Sequence, residues 1–362
     1  MVSTEPVTQA RSVDFGAGCR RLLFTEPGRV EVIEERLPGL GPGEVYARTV
    51  LSGVSHGTEM AWLRGEAAAL HRTWDAERRV YLDGAGRDFP VAPGYETVAA
   101  VAEIGSEVTD VRVGDLVYLD RPHADGHIVA SGTARAGLVP PDVAAERAVF
   151  WPLARVALGG VHDAAIQVGE TVVVTGLGTV GLLVAQLARR AGATKVIGVD
   201  RHPLRLEAGA SLGAHVVDAA TSDVAAEVRR ITGPAGADAA IEASGSYRGL
   251  HEAIRSCAVG GRVATVASYH GDQPGLRLGE EYHRNRITLI SSMTVNGCVH
   301  RQYPLWTLDR LNRTARDMVS SGALCVDGLI THRVPFRSAV DAYALILDTP
   351  QDTIKVVLTY DD

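Results

Sequence analysis

The sequence predicts an α/β protein: a doubly wound parallel sheet joined to a β-rich, barrel-like domain. Three observations predict it. Up to about residue 150, short strand-like runs alternate with Pro/Gly turns. Beyond that point, strand-like and helix-like runs alternate with each other, which is the pattern of a parallel sheet covered by helices. Between one such strand and the helix after it lies "VVVTGLGTVG", residues 172–181, with three glycines at the turn.

In chain order, residues 1–20 hold no apolar stretch of signal-peptide length and read as a disordered leader. "RRLLFTEPGRVEVIEERLP" reads as two strands about a Pro27-Gly28 turn, and "PGLGPGEVYARTVLSGVS" as a turn and a strand. "ETVAAVAEIGSEVTDVRVGDLVYLD" supplies two more strands. Between Trp62 and Pro93 an arginine-rich polar insert interrupts the pattern and reads as a surface excursion beside a cleft. "DVAAERAVFWPLARVALGGVHDAA" has helical periodicity. Strands and helices then alternate to "GGRVATVASYHG", and the chain closes with a helix, "LWTLDRLNRTARDMVSSGAL", and two strands. The reading places a barrel-like domain at residues 21–152 and 300–362, and a dinucleotide-binding domain at 153–299.

Composition narrows the function. The 362 residues are 46% hydrophobic and 22% charged, ordinary for a globular protein of two domains. A net charge of −7 gives no electrostatic reason to expect nucleic acid or an anionic membrane as partner. No apolar run reaches the roughly 18 residues of a membrane span. Positive charge is carried almost wholly by arginine, with lysine only at Lys195 and Lys355. The four cysteines, Cys19, Cys257, Cys298 and Cys325, form no close pair, which argues against a disulfide framework and for a reduced, cytoplasmic setting.

Gly176, Gly178 and Gly181 form G-x-G-x-x-G, filled in by Leu177, Thr179 and Val180. In the Rossmann arrangement the first glycine makes the turn, the second lets backbone approach a pyrophosphate, and the third lets helix pack on strand. Helix N–H groups and the helix dipole then face the phosphates. Asp200 ends the next strand, where a carboxylate binds the ribose hydroxyls and repels a 2′-phosphate. This predicts NAD, with Arg201 and Arg205 leaving NADP open. Ser244, Ser268, Tyr269 and His270 follow later strand ends, where ligands of such sheets sit.

"LPGLGPGEVYARTVLSGVSHGTE", "VAPGYETVAAVAEIGSEVTDVRVGDLVY", the fingerprint region, "DAAIEASGS" and "GLITHRVPF" together resemble the medium-chain dehydrogenase/reductase superfamily. The resemblance covers about residues 21–360 and implies a GroES-like catalytic domain, hydride transfer through a nicotinamide, and a homodimer or homotetramer pairing at "RITLISSMTV". Zinc-dependent members carry a cysteine in the first motif, a histidine in G-H-E, and a Cys or Glu before the nucleotide domain. Here those places hold Ser55 of Ser55-His56-Gly57-Thr58-Glu59, Tyr95 of Gly94-Tyr95-Glu96, and Trp151. Serine, tyrosine and tryptophan are not the zinc donor set, so no zinc is expected, with a reduced His56/Glu59/Glu96 site as the alternative. The pairing of S-x-G-T-E with P-G-Y-E is similar to the dehydrogenases of bacteriochlorophyllide hydroxyethyl groups and of sugars and cyclitols.

Without a Lewis acid, hydride transfer needs general acid–base residues. Thr58 stands at a hydroxyl-relay position, and His56 beside it titrates near neutrality or contacts the cofactor pyrophosphate. Tyr95 can donate a proton to a developing alkoxide, with Glu96 orienting it. His123 and His127 read as cleft-loop residues, His127 more as a surface-strand residue. Trp151 and Trp62 read as substrate walls, and His162 and His332 as structural. The expected substrate is a secondary alcohol or ketone on a polar ring: a sugar, a cyclitol or a natural-product intermediate. The alternatives are an NADPH-dependent double-bond or iminium reductase and a non-catalytic dinucleotide-binding protein.

Overall fold

The computed structural model describes residues 18–84, 86–271, 275–293 and 305–360. The chain opens with an antiparallel hairpin of β1 (Gly18–Glu26) and β2 (Arg29–Arg36). The predicted leader therefore ends too late: Gly18–Arg20 belong to β1, because Cys19 is buried and Arg20 pairs with Asp125. Residues 1–17 lie outside the described residues.

β3 (Glu44–Val54), α1 (Thr58–Leu63) and α2 (Ala68–His71) follow, then a small hairpin of β4 (Arg72–Asp75) and β5 (Val80–Asp83). This hairpin is the arginine-rich insert. It is largely exposed, with Trp74 against Tyr81 and His71 hydrogen-bonded to the Gly65 carbonyl. Next come β6 (Thr97–Ile104), β7 (Leu116–Leu119), β8 (Gly126–Ala130), α3 (Ser131–Ala136), α4 (Ala145–Ala148) and α5 (Trp151–Asp163). Strand and helix then alternate through β9 (Thr171–Thr175), α6 (Thr179–Arg190), β10 (Lys195–Asp200), α7 (Pro203–Ser211), β11 (His215–Asp218), α8 (Val224–Thr232), β12 (Ala237–Glu242), α9 (Tyr247–Ser256), β13 (Cys257–Thr265) and β14 (Thr288–Ser291). The chain returns through α10 (Leu308–Ser320), β15 (Ile330–Pro335), α11 (Ala339–Asp348) and β16 (Lys355–Thr359).

Two six-stranded sheets organise these elements. The first is parallel, in the order β11-β10-β9-β12-β13-β14. Counted from β9, that is the doubly wound order 3-2-1-4-5-6, with its switch point between β9 and β12. Both faces of β9 are covered, so Val172, Val173 and Val174 are all buried. The second sheet runs β15-β16-β3-β6-β7, with β8 also on β3. β16 pairs antiparallel with β3, setting Val356 opposite Val54 and Leu358 opposite Ser52. The turn after β3 is thereby brought beside the start of the last strand.

α5 joins the two halves. One buried cluster contains Leu51 and Val98 of the second sheet, Ala154, Ala157 and Val161 of α5, Val172 and Val174 of the first sheet, and Leu182 and Leu183 of α6. Each buried leucine or valine contributes about 1.5–3 kcal/mol relative to exposure. Among the described residues no helix is long and apolar enough to cross a membrane.

Candidate active site

The fingerprint glycines take three different roles. Gly176 has φ +87°, and a Cβ there would press on the Ser244 backbone. At Gly181 a Cβ would collide with the Gly176 carbonyl oxygen. At Gly178 a Cβ would meet nothing within 4 Å, so open space stands above the turn. Gly178 is the N-cap of α6, and no side chain caps that helix end. A free helix N-terminus beneath open space fits a pyrophosphate.

Around it, the Leu177 N–H donates to Asp200 Oδ2 at 2.7 Å, and Arg201 and His202 N–H groups hold Oδ1. The Leu177 side chain is fully buried in contact range of Gly198 and Gly209, and Val180 is partly buried. The carboxylate of Asp200 is thus fixed at the end of β10, with the exposed Arg201 beside it. Two of the cofactor candidates also bond within the chain. Arg205 donates through Nε and Nη2 to the carbonyls of Thr353 and Pro350. The Thr179 hydroxyl donates to the Ile354 carbonyl at 2.8 Å, tying the foot of α6 to the second sheet.

Ser244 and Tyr269 both hydrogen-bond the buried Glu242 carboxylate at the end of β12, which occupies the Tyr269 hydroxyl. Burial raises the Glu242 carboxyl against the lowering effect of those bonds. Ser268 is exposed and His270 partly exposed at the same edge.

The loop after β3 is tied toward the foot of α6, since Lys355 Nζ donates to the Val54 carbonyl and the neighbouring Ile354 carbonyl accepts from Thr179. The Tyr95 hydroxyl donates to Ser55 Oγ at 2.8 Å, with the Thr58 hydroxyl also in hydrogen-bonding contact. Burial, with the charges of Glu96 and Glu59, pushes the Tyr95 phenol well above its ordinary value. The turn holding Tyr95 needs its glycine: Gly94 has φ +104°, and a Cβ there would strike His123. His56 Nε2 is buried without a partner. Burial first, then the nearby charges of Lys355, Arg205 and His332, hold this imidazole well below its ordinary value, so it is neutral at neutral pH.

Behind the loop lies a buried chain of polar groups. Glu59 Oε1 accepts from the Ser55 N–H at 2.8 Å, and Oε2 accepts from the Tyr343 hydroxyl at 2.6 Å. His123 Nε2 lies 3.1 Å from Oε2, and its Nδ1 lies 2.7 Å from Ser52 Oγ, which meets the Tyr360 hydroxyl at 2.8 Å. A carboxylate only accepts, so His123 donates to Glu59 through Nε2. Burial alone would raise the Glu59 carboxyl; His123 and the surrounding hydrogen bonds outweigh it and bring it below the usual value.

Several expectations need correction here. His123 is fully buried and does not line a cleft; it anchors Glu59. Glu96 does not orient Tyr95 but accepts from Lys355 Nζ at 2.6 Å, both fully buried, while the same ammonium donates to the Val54 carbonyl. His127 lies on β8 but is buried, not on the surface. Trp151 is 3% exposed and has Arg316 stacked 4.9 Å over its ring, so it offers no free face for a sugar. Trp62 packs on the core beneath β1 with Arg87 near its ring. His162 packs on Trp306, and His332 Nδ1 meets the Thr331 hydroxyl.

The donor set does not fit zinc. Ser55 and Tyr95 bond each other, Trp151 is no ligand, Glu59 is fully engaged, and Glu96 is paired with Lys355. His56, Glu59 and Glu96 do not converge; among the described residues, the group of three with donor atoms close enough for one ion is His251, Glu280 and Glu281, elsewhere in the fold. Sequence reasoning missed Ser52, Lys355, Tyr343, Tyr360 and Glu242. A signal existed for Lys355, one of only two lysines in an arginine-rich chain.

The architecture matches proteins of one family. The chain is 31% identical over 350 residues to D-guloside 3-dehydrogenase of Escherichia coli strain K12, covering 94% of this chain and all of that one. It belongs to the medium-chain dehydrogenase/reductase superfamily. A family model described as zinc-binding dehydrogenase matches residues 179–312. L-threonine 3-dehydrogenase of Sinorhizobium fredii is 27% identical, over 90% of this chain and 94% of its own. Among solved structures, 2R,3R-butanediol dehydrogenase of Bacillus subtilis superposes with a TM-score of 0.75 at 19% identity, covering 95% of this chain and 100% of that one. Galactitol-1-phosphate dehydrogenase of Escherichia coli does so with 0.71 at 20% identity, covering 94% and 100%. As a medium-chain dehydrogenase/reductase, the chain is an NAD(P)-dependent oxidoreductase.

Proposed function

We propose that this medium-chain dehydrogenase/reductase interconverts a secondary alcohol and a ketone on a polar ring, such as a sugar or cyclitol, using NAD and no zinc. The observation that carries this reading is the Tyr95 hydroxyl bonded to Ser55, two protic side chains where zinc-dependent relatives carry metal ligands. Identity of 31% along the whole of D-guloside 3-dehydrogenase supports a sugar-like ring. Asp200, held by backbone N–H groups at the end of β10, supports NAD, as does the commitment of Arg205 to two carbonyls.

Gly178 and the first turn of α6 receive the pyrophosphate, and Asp200 the ribose. When bound, the nicotinamide takes or gives the hydride. In the reducing direction the Tyr95 phenol redirects its proton from Ser55 to the carbonyl oxygen, and the Ser55 and Thr58 hydroxyls donate to the phenolate oxygen left behind. In the oxidising direction Tyr95 first loses its proton to solvent hydroxide, and the resulting phenolate receives the carbinol proton. The neutral His56 is available as an acceptor on the same loop. Glu59, His123 and Ser52 fix that loop from behind. Among the described residues β14 is bonded on its β13 side alone within the sheet, and we assign its other edge to a second copy of the chain.

The test is the rate of NAD reduction with neutral sugar glycosides, before and after exhaustive dialysis against a chelator, in wild type and Tyr95→Phe. The expected outcome is unchanged activity after dialysis and about 100-fold lower turnover in the variant, the scale of a lost general acid–base group. Activity that disappears on dialysis and returns with added zinc overturns the metal-free mechanism.

A further inference from the structure

Between the start of α5, α10 and β7 lies a recess of about 200 Å³, lined by Tyr118, Asp120, Trp151, Arg155, Asn312 and Arg316. Whole ligand sites run to roughly 300–1,000 Å³, so this space suits one substituent rather than a complete substrate. Its walls are rich in donors. The Trp151 indole N–H and the Arg155 Nε are both buried and without a partner. Trp151 itself is 3% exposed. Tryptophan and arginine carry donors and no acceptor, so they cannot satisfy each other. Leaving such a buried donor unmet costs about 1–3 kcal/mol.

The other lining groups sharpen the demand. Arg155 Nη1 reaches Asn312 Oδ1 at 3.4 Å, which uses the acceptor end of that amide. Arg316 lies 4.9 Å over the Trp151 ring and 5.6 Å over the Tyr118 ring, and donates to the Ala136 carbonyl. The Tyr118 hydroxyl is spent on the Tyr95 carbonyl at 2.7 Å. The carboxylate among the lining residues, Asp120, is exposed at the rim. Two guanidinium groups and an unmet indole N–H call for an acceptor that is also an anion. The Tyr118 bond joins the wall of this recess to the turn that carries Tyr95.

We infer that the recess between α5 and α10 binds an anionic substituent, a carboxylate or phosphate, carried on the ring of the substrate. This rests on the alcohol/ketone reading above and narrows its substrate class to acidic or phosphorylated sugars.

The experiment titrates tryptophan fluorescence of the NAD-loaded protein with D-glucuronate, D-glucose 6-phosphate and methyl glucoside. Trp151→Phe identifies the reporting ring. The expected result is binding of at least one of the two anions about ten-fold or more tighter than the neutral glycoside, the acid or the phosphate ester thereby naming the source of the charge. Arg155→Met is expected to remove that preference and leave neutral-glycoside binding unchanged. With an anionic ring that is oxidised, the same variant raises KM by about ten-fold or more and changes kcat little. Equal affinity for charged and neutral rings in the wild type, or equal loss of both in Arg155→Met, overturns the inference. Anion-selective binding without oxidation of any ring supports the recess and removes the alcohol/ketone reading. Oxidation of neutral rings without anion preference does the reverse.

Discussion

Tyr95 sits between a hydroxyl it donates to and two carboxylates that oppose its ionisation. Because its phenol is pushed up, it stands ready as a donor and resists serving as a base. Carbonyl reduction is therefore expected to hold a flat rate past about pH 10, the ordinary tyrosine value. Alcohol oxidation is expected to climb with pH across the alkaline range, and a pH–rate profile in both directions reads this; an oxidation rate flat from pH 7 to 10 would remove Tyr95 as the proton acceptor. Lys355 makes a second residue-scale case. Both it and Glu96 are out of water, so Lys355→Met leaves a buried carboxylate without its cation and is expected to cost about 3–5 kcal/mol in urea unfolding. Adding Glu96→Gln removes the stranded charge, and the double variant should recover much of that loss. A double variant no more stable than Lys355→Met would show that the pair acts through packing alone.

At the scale of elements, the turn from β9 into α6 separates folding from binding within one motif. Gly178→Ala adds a methyl to open space at a backbone conformation alanine tolerates, so stability should be kept while NADH affinity falls. Gly181→Ala drives a methyl into the Gly176 carbonyl and should lower the melting temperature itself. Thermal unfolding beside NADH titration distinguishes the two; a destabilised Gly178→Ala would mean the space above the turn is not free. β8 offers an acid-side test. Burial, with Arg121, His123 and Arg21 nearby, holds His127 down to about 4. In the unfolded chain it takes a proton near pH 6.5, so as pH falls from about 6.5 to 4 the unfolded state gains protons that the folded state refuses. Stability should drop across that window by up to about 3 kcal/mol, and His127→Phe should flatten the drop. These elements were legible because strand–turn–helix signals are local. The polar chain behind the loop was not, since Glu59 meets Tyr343 and Ser52 meets Tyr360 across 284 and 308 positions. Periodicity carries no record of such pairings, and His123 therefore read as a residue of a cleft-lining loop.

For the whole molecule, that other edge of β14 is the place to test assembly. Leu289 there is 40% exposed. Leu289→Arg is expected to shift the sedimenting species toward the monomer if two copies pair along that edge, and an unchanged sedimentation coefficient would place the contact elsewhere. The two sheets are also joined at a narrow seam. The foot of α6 holds the Ile354 carbonyl through Thr179; the next residue, Lys355, holds Glu96; and Glu96 is the neighbour of Tyr95. An anion settling on α6 and a ring settling against Tyr95 therefore load the same short run of backbone from opposite ends. Whatever free energy couples them must appear equally in both affinities. A first occupant that steadies this seam makes the second bind more tightly by that same factor, whichever of the two arrives first.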